Sequence, residues 1–316
     1  MKRNLFLHAA LGAALIVLAT SVPSSADRPR DSGAQNLGTP DYGVCRGTDP
    51  DCYHDWGNFD PATDGYRVLV YSRTAGPRHA HLGPALPPGL NPPLAPENAA
   101  QSALVRLGQQ NGFAVDWTED VTQLNSPGRL FRYNAVIFMS STRDTLDDPA
   151  QTALRQYIRG GGGFVGIHNA FGTEYNWEWY EGLLGGANYY DHGRNQPGTV
   201  VTQSRRDAST EGLPGRWDFA DEWYNLVPFP SRVRVLATVD ESTLAGGVRG
   251  GSGHPGHGRN HPVSWCQYYD GGRSWVTTLG HAVEAWTDAP MPGDDHFTRH
   301  VLGGIESAMG RKPFCR

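Results

Sequence analysis

The chain has 316 residues, with 27 Lys or Arg against 32 Asp or Glu, a formal net charge of −5 and a pI near 6.2. That balance gives no basic footprint for nucleic acid or for an anionic membrane surface. Forty glycines and 23 prolines imply many shaped loops, while nine tryptophans and 13 tyrosines argue against disorder and fit either an ordinary core or rings that stack on a sugar.

The first stretch stands apart from the fold. Lys2 and Arg3 precede an apolar run over residues 5–19, too short to span a bilayer comfortably, and Ser24-Ser25-Ala26 offers small residues before a cut. This pattern predicts a signal peptide over residues 1–26, cleaved after Ala26, and a secreted mature protein with no membrane attachment. Residues 27–65 read as a polar extension, 66–310 as the main domain and 311–316 as a tail. Export makes disulfides permissible. Cys45 and Cys52 share one short loop and are expected to pair, which leaves Cys266 for Cys315, although spacing does not prove connectivity.

In chain order, RVLVY at 67–71 has the composition of a buried first strand. It runs into a polar loop with Arg78, His79 and His81, then into a proline-rich segment over 83–96 that is expected to form a wall or lid. Residues 97–111 carry Ala100, Ala103, Leu104 and Leu107 at helical spacing, with Gly112 as the stop. A second strand follows at 113–117. A third, AVIFM at 135–139, is the most hydrophobic and ends in the hydroxyls of Ser140, Ser141 and Thr142. Asp148-Pro149 predicts a helix start, with Asp148 as the cap. Four glycines, 160–163, then introduce a buried strand over 164–167 with His168 at its carboxyl end.

The order β–α–β then β–α–β predicts a three-layer α/β fold of flavodoxin-like kind, with a mostly parallel central sheet. Ligands in such sheets bind beyond the carboxyl ends of the strands, where the strand order reverses. The second half is richer in strands: 199–203, 232–239, and a pair at 263–268 and 274–279 joined by a turn at Asp270-Gly271-Gly272. The last helix is expected over 298–309. Between them lie Asp191 and His192, the acidic and aromatic cluster Asp221-Glu222-Trp223-Tyr224, and a glycine and histidine loop over 245–262.

Seven segments carry a resemblance: RVLVYSRTAGPRHAH, YNAVIFMSSTRD, GGGFVGIHNA, DEWYN, HPVSWC, WVTTLGH and HVLGGIESA. In this order they resemble the ThuA-like family, named for trehalose utilisation, whose members share the class I glutamine amidotransferase-like fold. True amidotransferases hold a nucleophilic cysteine where this chain has His168, so the resemblance implies the fold without glutaminase chemistry. One departure stands out. Family members often read Arg-His-Asp-Ser where this chain has Arg78-His79-Ala80-His81.

The candidate catalytic residues are His168, His281, Glu222 and His79, types able to move protons or polarise a bond. Arg78, Ser141, Thr142, Asp221, Trp223, His192, His261 and Trp265 are the candidates for substrate contacts. Several of His79, His168, His192, His281 and Glu222 together could hold a divalent metal such as zinc, manganese or iron, but no HExxH or comparable spacing appears, so no residue is assigned as a metal ligand and the cofactor is unknown. Three functions are expected to compete: acid–base chemistry on a sugar or keto-sugar, a metal-dependent hydrolase or isomerase, and a sugar-binding protein without turnover. In each the partner is a small carbohydrate.

Overall fold

The structure, a computed structural model, describes residues 40–287 and 294–316. The expected signal peptide lies outside the described residues. The first half alternates strands and helices: β1 (Arg46–Gly47), α1 (Pro61–Asp64), β2 (Arg67–Tyr71), α2 (Ala99–Asn111), β3 (Ala114–Thr118), α3 (Pro127–Leu130), β4 (Ala135–Met139), α4 (Asp148–Arg159) and β5 (Gly163–Ile167). The second half adds α5 (Glu178–Leu183), β6 (Tyr189–His192), β7 (Gln196–Thr202), β8 (Arg216–Asp221), β9 (Tyr224–Leu226), β10 (Arg234–Asp240), β11 (Pro262–Tyr269), β12 (Gly272–Thr277) and α6 (Asp294–Ala308).

The main sheet runs β3-β2-β4-β5-β12-β11-β10-β7-β8, with β1 paired to β11. Its parallel part, β3-β2-β4-β5-β12, is the flavodoxin-like order expected from the sequence. The remaining ladders are antiparallel, so β7 and β11 run against the other strands. A separate ribbon pairs β6 with β9.

Period-two alternation sorts the side chains into two cores. On β4, Ala135, Ile137 and Met139 join α2 and α6 on one face, while Val136 and Phe138 join α4 and α5 on the other. Three layers follow from strands that are apolar on both faces. The cap of α4 falls one residue earlier than expected: the Asp147 carboxylate accepts from the Ala150 N–H, and Pro149 sits in the first turn. The last helix starts earlier than expected, at Asp294.

The proline-rich segment is a correction to the expected lid. Asn91 N–H donates to the Trp117 carbonyl, and Thr118 Oγ1 to the Gly89 carbonyl, so the segment lies along the outer edge of β3. An edge strand left bare would invite pairing with another chain, and this cover removes that hazard. Both expected disulfides are formed, Cys45–Cys52 and Cys266–Cys315, which leaves no free thiol.

The glycines before His168 allow close approach. A Cβ on Gly163 would stand 2.3 Å from the Ala308 carbonyl oxygen and 2.8 Å from that of Asn134, both backbone atoms that cannot yield. Gly163→Ala is therefore expected to lower stability by about 1–3 kcal/mol, the usual cost of overpacking, as a reduced urea midpoint with an unchanged slope.

Candidate active site

Each catalytic candidate sits on a loop just past the carboxyl end of a strand. β5 ends at Ile167, and His168 turns sharply with φ of 52°. A left-handed conformation costs a non-glycine residue about 1–3 kcal/mol. The ring is held by its Nδ1–H, which donates to the Thr278 carbonyl at 2.8 Å, just beyond the β12 residue paired with Ile167. That bond fixes the tautomer and leaves the Nε2 lone pair aimed into a hollow. The Tyr224 hydroxyl lies 2.9 Å from Nε2, and His79 Nε2 lies 3.2 Å from it.

A second sharp turn, at Ser140 after β4, has φ of 46°. Ser140 Oγ donates to His81 Nε2 at 2.9 Å, and His81 Nδ1–H donates to the His281 carbonyl at 2.7 Å. His81 is thus a fully buried brace between two strand ends. This is the position where the chain departs from the family pattern.

Asp221 ends β8, four places from β12 in the sheet. Its carboxylate nevertheless accepts from Gly280 N–H at 2.7 Å, His281 N–H at 3.3 Å and Glu222 N–H at 2.8 Å. The antiparallel half of the sheet therefore curls until its far edge meets the end of β12. This clamp sets Glu222 beside His281, with Oε2 and Nδ1 3.0 Å apart, and His192 Nε2 3.5 Å from the same oxygen. The His281 contact lies off the axis of a hydrogen bond, so it is a close charge pair.

The result is a hollow in which one donor atom each from His79, His168, Glu222 and His281 lies within 4.8 Å of the others. Burial, reinforced by neighbouring histidines, lowers His79 to about 4 and pushes His168 well below the usual range. Both rings are uncharged at neutral pH. Burial opposes the charges on Glu222 and His281, but each stabilises the other, so Glu222 is lowered and His281 raised. Burial raises Asp221 to about 7 against the pull of its backbone donors. This set of nitrogen and carboxylate donors suits either proton transfer or a small cation.

The other sequence candidates are mostly structural. The Arg78 guanidinium bonds the carbonyls of Leu82, Gly83 and Pro84 and pairs with Glu119 at 2.7 Å, so it braces its own loop. Thr142 Oγ1 accepts from Gly76 N–H, and Ser141 Oγ accepts from Thr173. Trp223 and Trp265 are core residues whose indole N–H groups reach the carbonyls of Gln196 and Leu184. Fully buried His261 links Glu241 at 2.7 Å to the Tyr224 carbonyl at 2.9 Å, and so seats Tyr224. His192 alone among these candidates reaches the hollow. Tyr224 and His81 are working parts that no spacing in the sequence signals, although Tyr224 stands in the DEWYN segment two residues after Glu222.

Two buried rings away from the hollow set a pH dependence. Burial lowers His300 to about 4 and His257 to about 3, the latter accepting from Leu226 N–H. Below pH 6.5 the unfolded chain takes up protons that these folded rings refuse. Stability is then expected to fall as pH drops from about 6.5 toward 4, by up to about 1.4 kcal/mol per pH unit for each ring. Urea midpoints across that range check the slope, which His300→Leu should flatten.

The comparisons with known proteins agree with this architecture. A ThuA-like protein from Bacteroides uniformis has a TM-score of 0.57 at 22% identity, covering 77% of this chain and 91% of the other. One from Parabacteroides merdae has a TM-score of 0.57 at 17% identity, covering 78% and 91%. These likenesses speak for the fold. No curated protein matches the chain. The family model ThuA, trehalose utilisation, matches residues 67–308, a stretch that contains all four converging side chains. The chain belongs to the ThuA family.

Proposed function

We propose that the protein is a secreted enzyme of sugar utilisation that acts on a sugar or keto-sugar at the His79, His168, Glu222 and His281 centre. The observation that carries this reading is the convergence of those four groups, from four separate strand-end loops, within 4.8 Å. Structural histidines satisfy both ring nitrogens locally, as His81 and His261 do. His168 differs in that the partners of its Nε2, the Tyr224 hydroxyl and His79 Nε2, are themselves groups of the hollow. Family membership supports a sugar as the substrate class.

The hollow holds groups able to take a proton and groups able to give one. The ionised Glu222 carboxylate and the His168 Nε2 lone pair are acceptors. The Tyr224 hydroxyl and the His281 ring, whose charged form Glu222 favours, are donors. Such a set can take a proton from a hydroxyl or from a carbon next to a keto group, and return it at a neighbouring oxygen. Tyr189 packs on Tyr224 with ring centres 4.7 Å apart, and Tyr190 and Tyr175 are 44% and 43% exposed. Exposed rings near the ribbon suit the apolar face of a pyranose.

Cysteine chemistry does not fit. All four cysteines are in disulfides, so no thiolate is available for an acyl-enzyme. The disulfides also support an oxidising compartment, consistent with removal of residues 1–26 on export.

The test is incubation of the mature chain with trehalose, other disaccharides and their keto derivatives, with products followed by mass. His168→Ala is expected to fold and to lower turnover by about 10²–10⁴-fold. A sugar that raises the melting temperature in both proteins while no product forms would make this a binding protein and overturn the proposed activity.

A further inference from the structure

We infer that His79, His168, His281 and Glu222 together bind one divalent transition-metal ion, of the zinc, iron(II) or manganese class. The inference rests on reading the hollow as the reacting centre, and it changes what those atoms do there. No short spacing announces the site, because its ligands arrive on the loops after β2, β5, β8 and β12.

Three observations point to an ion. The first is tautomeric. His168 Nδ1–H is committed to the Thr278 carbonyl, so Nε2 must be a lone pair. A ring nitrogen oriented by a backbone carbonyl on its far side is the usual arrangement of a metal-bound histidine. The second is spacing. Tetrahedral zinc, with bonds of 2.0–2.1 Å, sets neighbouring ligand atoms about 3.3 Å apart. His79 Nε2 lies 3.2 Å from His168 Nε2, and His281 Nδ1 lies 3.0 Å from Glu222 Oε2. The widest separation, no more than 4.8 Å, closes by rotation of Glu222 and His281, whose side chains are 16% and 27% exposed.

The third is unmet bonding. His281 Nδ1 and His79 Nδ1 are buried without a hydrogen-bond partner. The His281 nitrogen faces Glu222 off the hydrogen-bond axis, an arrangement that suits two ligands of one ion better than a donor and its acceptor. For His79, a proton on Nδ1 leaves two lone pairs facing each other at 3.2 Å across the hollow, and a cation between them removes that repulsion.

Three uncharged imidazoles and one carboxylate around a divalent ion leave a net charge of +1. That favours an oxygen ligand with developing negative charge, such as the hydroxylate or enediolate of a sugar. The Tyr224 hydroxyl and His192 then remain beside the ion as the groups free to move protons.

The experiment uses the full mature chain. Protein purified without chelator is analysed for metals. Chelator-treated protein is then titrated with zinc and, separately, with cobalt(II), whose visible bands report tetrahedral nitrogen and oxygen ligands. One equivalent per chain is expected. Glu222→Gln, which preserves shape, and His168→Ala should each weaken binding by at least about 100-fold, beyond the 10–100-fold that an outer partner usually contributes. His254→Ala, in the histidine loop, should bind as the parent does.

No saturable binding of either ion, or equal binding by Glu222→Gln, overturns the inference. Sugar turnover by metal-free protein removes the metal and leaves the proposed activity standing. Tight, ligand-dependent binding without turnover of any sugar does the reverse.

Discussion

The carboxylate of Asp221 is the contact on which the candidate site depends. It is fully buried and receives three backbone N–H groups, from Gly280, His281 and Glu222. Those bonds tie the far edge of the curled sheet to the end of its central parallel strand. Without them Glu222 and His281 would belong to separate regions of the surface. A buried carboxylate raised to about 7 is an expensive device, and its backbone partners explain how the fold tolerates it.

The rest of the centre rests on sharp turns. His168 and Ser140 both leave their strands in left-handed conformations, and both are then fixed by side-chain bonds. Local strain of this kind persists only where surrounding structure over-determines it. Here the surroundings are the two packed faces of β4 and β5, whose residues are wholly buried. A rigid sheet lets the loops spend strain on aiming ring nitrogens. His81 and His261 brace the same hollow from either side, by carbonyls of His281 and Tyr224.

Residue type alone does not separate the working histidines from the bracing ones. His81, His261 and His168 are all fully buried. All three have both ring nitrogens partnered, but those of the first two meet structural groups, whereas His168 Nε2 meets the Tyr224 hydroxyl and His79 inside the hollow. Arg78 makes the same point. The sequence places a forked donor beside His79, and the proline-rich segment then consumes that fork with its own carbonyls.

Much of this protein was legible in the chain itself. Apolar runs such as AVIFM and the helical spacing between them dictate the parallel β–α order, because strands buried on both faces need helices on each side. That order places His79, the Ser140 turn and His168 at neighbouring strand ends, since the switch point follows from connectivity alone. The glycines before His168 likewise announce close packing. The tertiary structure decided the rest. The return of β8 to the end of β12 arises from the curl and pairing of the antiparallel strands, which are long-range properties that no local pattern records. The side-chain partners that turn one histidine into a brace and aim another at the groups of the hollow come from distant segments, and exist only once the sheet has closed around them.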